Sequence, residues 1–87
     1  MSHLSPDELK VKVEKAKELV KVGGKYRHYK GGEYEVVDIV LHSETLEEMV
    51  LCRPLYETGA NLWVRPLNLF ISEVEVEGKM VKRFELV

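Results

Sequence analysis

GGKYRHYKGGEYEVVDIVLHSETLEEMVLCRPLYETGANLWVRPLNLF, residues 23–70, is the stretch whose reading decides the fold. Lys25 to Tyr29 alternates, with Tyr26 and His28 on one side and Lys25, Arg27 and Tyr29 on the other, as a first strand would. Gly31-Gly32 supplies the freedom for positive φ that a tight hairpin needs. From Glu33 to about His42 a second strand begins with Tyr34 and Val36 as its apolar set. It then changes phase, so that Val37, Ile39 and Leu41 become apolar. Because the side-chain period of a strand is two, one extra residue near Val36-Val37 explains the change, and so does one long strand serving two sheets. Such bulges belong to small, strongly bent β-barrels.

Beyond a polar corner, His42-Ser43-Glu44-Thr45, a third strand is expected over Met49 to Tyr56, with donor-less Pro54 at an edge or bulge. Leu62 to Arg65 reads as a fourth strand ended by Pro66, and Leu67 to Phe70 as a single 3₁₀ turn. The expected core is Tyr34, Val36, Ile39, Leu41, Val50, Leu51, Leu55, Leu62, Val64, Leu67 and Phe70, with Leu41 and Val64 at its centre.

Outward from this stretch, residues 5–22 predict an amphipathic helix. Ser5 is a good N-cap, Pro6 suits the first turn, and Glu8 completes a capping box. Leu9, Val13, Ala16 and Val20 make one apolar stripe, and Gly23 is the expected αL stop. The stripe either covers the β-domain or docks a second copy of the chain. At the other end, Val74 to Val76 and Val81 to Leu86 read as a hairpin around Glu77-Gly78-Lys79. The expected organisation is a single domain over 1–87, mainly β, with a helix over 5–22 laid on a small barrel over 24–87.

The 13 basic residues against 15 acidic ones leave a net charge of −2, which argues against a dedicated double-stranded DNA binder. Cys52 is the only cysteine, so no intramolecular disulfide or multi-thiolate zinc site can form within the chain. Val36 to Leu41, the longest apolar run, is interrupted by Asp38 and far too short for a membrane span, so no membrane partner is expected. The charged N-terminal segment does not read as a signal peptide, and a cytoplasmic, reducing location is the expectation.

GKYRHYKG (Gly24 to Gly31), HSET (His42 to Thr45) and WVRPLNLF (Trp63 to Phe70), in this order, resemble the motifs of a family of short bacterial proteins known only as a domain of unknown function. The likeness extends over roughly Gly24 to Glu85. It implies a small SH3-like β-barrel and carries no activity, cofactor or ligand with it. It also implies an aromatic residue where this chain has Cys52, which would alter any surface built on that ring. The helix ending at Val22 lies outside the shared motifs.

Lys25, Arg27 and Lys30 with Tyr26 and Tyr29 have the composition of a single-stranded nucleic-acid platform, where rings stack on bases and cations meet phosphates. The alternative is that the rings are core and the charges are paired or solvated. Tyr29, His42, Glu44, Arg53, Trp63 and Arg65 are the expected ligand-binding surface, because long polar side chains and a tryptophan are not needed there for packing. A non-catalytic binding module for a peptide, protein or single-stranded nucleic-acid segment is the leading reading. A small enzyme or metal-dependent site on His28, His42, Glu44 and Arg65 is the alternative, and self-association through the helix or an open strand edge is a third. Convergence of those side chains distinguishes them.

Overall fold

The computed structural model describes residues 4–59 and 61–87. Helix α1 spans Pro6–Leu19 and starts as its sequence demands: Glu8 N–H donates to Ser5 Oγ, and Ser5 N–H donates to Glu8 Oε1, both at 3.2 Å. It ends earlier than expected. Val20 is already extended (φ −132°, ψ 125°) and turns its side chain into the core, where it is 1% exposed beside Ala16. Val13 packs at the margin of that core. Gly23, at φ +85°, serves the turn after the helix, where its N–H donates to Val36 O at 2.7 Å. No helix among the described residues is long and apolar enough to cross a membrane.

The strands are β1 (Lys25–His28), β2 (Glu33–Leu41), β3 (Glu48–Pro54), β4 (Trp63–Pro66), β5 (Glu73–Val76), β6 (Lys79–Lys82) and β7 (Phe84–Leu86), with one helical turn, α2 (Leu67–Phe70), after β4. Five of them form one antiparallel sheet in the order β4-β3-β2-β1-β7, while β5 and β6 make a separate two-stranded ribbon. The chain is thus mostly β with one N-terminal helix. Strands β4 and β7 are the two edges of the sheet and do not pair with each other, so no closed barrel forms among the described residues.

The phase change in β2 is a bulge. Val36 faces Cys52 and Asp38 faces Leu51, leaving Val37 as the extra residue, so Val36 and Ile39 both point inward at 0% and 4% exposure. Pro54 lies at the end of β3, past the last β3–β4 pair, Cys52 with Trp63, where no neighbour needs its missing donor.

Strand four has the expected alternation but the opposite phase. Arg65 sits across from Val50 and Trp63 from Cys52, and since Val50 and Cys52 are wholly buried, the inward face of β4 carries Arg65 and Trp63. Val64 pairs with Leu51 on the outer face and is 53% exposed. Leu55 and Leu62 are also exposed, and Leu41 and Leu51 are only half-buried. The expected core therefore loses these five. It keeps Tyr34, Val36, Ile39, Val50, Leu67 and Phe70, and gains Ala16, Val20, Tyr26, Cys52 and Phe84.

Phe84 enters because the C-terminal hairpin strand breaks at Arg83. Arg83 N–H donates to Ser72 O at 3.0 Å at the base of the ribbon, and Tyr29 N–H donates to Arg83 O at 2.9 Å. That residue hands the chain from the ribbon to the main sheet, and β7 then runs beside β1. Phe84 stacks on Phe70 (centroids 4.3 Å apart), with the Tyr34 ring edge-on at 5.8 Å and the His28 ring at 4.9 Å.

Cys52 is fully buried, so its departure from the motif pattern alters the core rather than a surface. Burial pushes its thiol up to about 11. Native protein at pH 8 should accordingly resist iodoacetamide, and labelling should appear only with unfolding in urea. Rapid labelling of the folded protein, followed by mass spectrometry, would show the thiol to be open to solvent.

Candidate functional site

Six residues that the sequence groups into one surface are separated by the sheet. Arg53 is on the outer face, where its guanidinium is bound to Glu35 Oε1 at 2.5 Å across the β2–β3 ladder. His42 and Glu44 occupy the β2–β3 corner, beyond the Leu41–Glu48 pair. His42 Nδ1 accepts the backbone N–H groups of Glu44 (3.1 Å) and Thr45 (3.3 Å), so the imidazole holds the corner's shape. Seven residues of β2 separate this corner from Tyr34, about 20 Å along the strand. Arg65 reaches Tyr34 with its guanidinium, Trp63 shares its face of β4, and Tyr29 follows directly on β1.

His28 is likewise remote from His42 and Glu44, so the residues of the catalytic or metal alternative do not converge. Among the described residues, no three His, Cys, Asp or Glu side chains are grouped to hold a metal. The basic-aromatic opening also divides. Tyr26 is core, its Oη accepting Lys21 N–H at 2.9 Å. Arg27 and Lys25 both pair with Glu33, whose carboxyl is held below the usual range chiefly by the Arg27 hydrogen bond.

What does converge is a cationic and aromatic group around Phe84. The Arg65 guanidinium lies over the Phe84 ring (4.9 Å from Cζ to centroid) and over the Tyr34 ring (5.2 Å). Its Nη2 donates to Tyr34 Oη at 3.3 Å, while Nε is buried without an acceptor. Tyr34 Oη shares a hydrogen bond with Tyr56 Oη, which pushes the Tyr56 phenol above its usual range. Tyr56 also packs over the first hairpin: a Cβ on Gly32 would lie 3.0 Å from its ring, so a larger residue there would have to displace that ring.

His28 adjoins this group, its ring 4.9 Å from Phe84 and 4.6 Å from Tyr29. Its Nδ1 accepts Lys30 N–H at 3.1 Å, which places the ring proton on Nε2. Two further cations flank Tyr29: Lys30 Nζ is 5.8 Å and Arg83 Cζ 6.0 Å from the ring centroid. Burial first, and then Arg65, Arg83 and Lys30, hold His28 below its ordinary 6.5. Every ion pair among the described residues involves other cations, so Arg65, Arg83 and Lys30 have no carboxylate partner. A cleft of about 350 Å³ opens beside His28 and Tyr29, between β1 and the Val76 and Val81 side of the ribbon. A larger hollow, about 460 Å³, borders α1 at Val11; its charges are of both signs, with Asp7 and Lys15 beside a paired Lys12 and Glu48, and no aromatic ring lines it.

The depressed His28 value has a stability consequence. Between 6.5 and the lower folded value, the unfolded chain binds a proton that the folded chain refuses, so stability falls as pH falls through that window. Wild type should therefore lose more stability than His28→Gln when urea unfolding is compared at pH 7.5 and pH 5.5. Equal losses would mean that His28 titrates normally in the fold.

Arg65 and Trp63 are named by the sequence reading and share the inward face of β4. Tyr34, Tyr56, Arg83 and Phe84 are not named as site residues there, although an Arg-Phe pair following a hairpin repeats the basic-aromatic signature of the opening strand.

The class these features define is a small antiparallel β-sheet domain with one covering helix and a cationic, ring-lined face. The chain belongs to the family described as a protein of unknown function, DUF1653, which it matches over residues 24–86. A crystal structure of a member of that family from Bordetella bronchiseptica is similar, with a TM-score of 0.70 and 32% sequence identity over 75% of this chain and 85% of that one. No curated protein matches the chain.

Proposed function

We propose that this protein is a non-catalytic binding module that holds a short single-stranded nucleic-acid segment on the face carrying Tyr29, Trp63 and Arg65. The observation that carries this reading is that Arg65 lies against Tyr34 and Phe84, and Arg83 and Lys30 against Tyr29, none of the three in an ion pair among the described residues. Tyr56 packs on Tyr34, and Trp63 is on the same face of β4 as Arg65, in a chain of net charge −2. Tyr29, Tyr56 and Trp63 are 38%, 47% and 42% exposed, enough for bases to stack on them. Unpaired cations suit phosphates, whereas the outer-face cation Arg53 is already neutralised by Glu35.

An SH3-like barrel, opened along the β4 and β7 edges, is the fold reading that accompanies this role. The strand order β4-β3-β2-β1-β7 and the single helical turn after β4 support it. The buried, unpaired Cys52 is compatible with a reducing, cytoplasmic setting.

Amide chemical-shift titration with short single-stranded oligonucleotides is the test. The expected result is a set of shifts at Tyr29, Lys30, Tyr56, Trp63 and Arg65, with affinity falling as salt rises, by a log–log slope of about −0.7 per neutralised phosphate. Shifts confined to Arg53 or α1, or binding of acidic peptides with none of oligonucleotides, would overturn the reading.

A further inference from the structure

We propose that Arg65, His28, Lys30 and Arg83 form a site for a dianionic phosphate, so that the module takes a strand by its phosphate-bearing end. This deepens the nucleic-acid reading above and rests on it. The first argument is charge. A backbone phosphodiester carries a single negative charge, whereas a terminal phosphate monoester carries nearly two at neutral pH and offers more acceptor oxygens. His28 touches both Phe84, under the Arg65 guanidinium, and Tyr29, flanked by Lys30 and Arg83. Three cations, none of them in an ion pair among the described residues, create a demand for more than one negative charge.

The second argument is the state of the donors. Arg65 is fixed against the Phe84 and Tyr34 rings and spends one terminal nitrogen on a long contact to Tyr34 Oη. Its Nη1 has no partner among the described residues and, unlike Nε, is not buried. His28 offers an Nε2–H, because Nδ1 is already occupied by the Lys30 amide. A guanidinium held against two rings with a terminal N–H group unused is poised for a charge-assisted hydrogen bond to an oxyanion. Arg83 is anchored through Nε to Ser72 Oγ at 3.0 Å, which leaves its charge in place beside Tyr29 while its terminal nitrogens stay free.

The test uses the whole chain and three probes: inorganic phosphate, a short oligonucleotide ending in a phosphate, and the same oligonucleotide ending in a hydroxyl. Phosphate alone should shift the Arg65 side-chain and His28 ring signals at constant ionic strength, where chloride does not. The phosphate-ended strand should bind about tenfold more tightly than its hydroxyl-ended counterpart, an advantage lost in Arg65→Met and partly kept in Arg65→Lys. Phosphate should also move the His28 titration upward; the cations facing that ring are Arg65, Arg83 and Lys30, and Arg27 and Glu85 line the same cleft. Equal binding of the two strands, unchanged in Arg65→Met, would overturn the end-site while leaving nucleic-acid binding standing. Phosphate shifts at Arg65 with no binding of either strand would keep the anion site and sink the nucleic-acid reading. Equal responses to chloride and phosphate would remove the site altogether.

Discussion

Phe84→Ala should cost about 3–5 kcal/mol, the range for emptying an aromatic position in a tight core. The ring is 4% exposed and stacks on Phe70, with Tyr34 and His28 edge-on to it and the Arg65 guanidinium above. Its loss leaves a cavity bordered by a cation, which water enters more readily than an apolar void. A domain of this size has a total stability of about 5–15 kcal/mol, so the variant should be marginal at room temperature. Urea unfolding monitored at Trp63 checks it. A change below about 1 kcal/mol would show that β7 is not docked in solution as described here.

Deleting residues 1–22 should lower stability by about 3 kcal/mol and leave a folded sheet. The described residues of this segment give the core only two fully buried side chains, Ala16 of α1 and Val20 just after it, with Val13 at the margin, while Val11 and Leu19 are 48% and 60% exposed. Burying a valine contributes about 1.5–3 kcal/mol and a methyl group about 0.8 kcal/mol, which sets the expected loss. The family match begins at residue 24, so a sheet of this kind recurs without this helix being part of the shared unit. Dispersed amide resonances and a cooperative, lower thermal transition are the expected readout. Collapse of the amide spectrum to that of an unfolded chain would show that Ala16 and Val20 are indispensable to the core.

Local chemistry made some of this legible in the sequence. The capping box set the start of α1, and the change of apolar phase in β2 announced the Val37 bulge, because both are written within a few neighbouring residues. Strand four was misread for the opposite reason. Val64 is apolar and Arg65 is charged, but which of them faces inward depends on a cross-strand register with Val50 and Cys52 that no local pattern encodes. Edge strands tolerate this inversion, since only one neighbour constrains them. Phe84 was missed because β7 has only three residues, too few to show a period.

The site divides along the same line. Arg65 and Trp63 could be suspected from residue type alone. Arg53 looked equivalent to Arg65 until the Glu35–Arg53 pairing across β2 and β3 showed that its charge is already neutralised on the far face. His42 looked like a ligand or a base, yet its lone pair is committed to two amides of its own turn.

The pairing of β7 with β1 has a consequence for how the chain comes together. Tyr26 faces Leu86, and His28 faces Phe84, so β1 waits for its second neighbour from residues far downstream in the chain. Closing so long a loop carries an entropic cost that must be met before its contacts repay it, and folds dominated by such distant pairings form slowly. During synthesis, Tyr26 and Tyr34 leave the ribosome well before Phe84, the ring that completes their cluster. The nascent chain therefore exposes an aromatic surface until residues 84–86 emerge and pair with β1, and that interval is when a chaperone, or a second unfinished copy, has access to it.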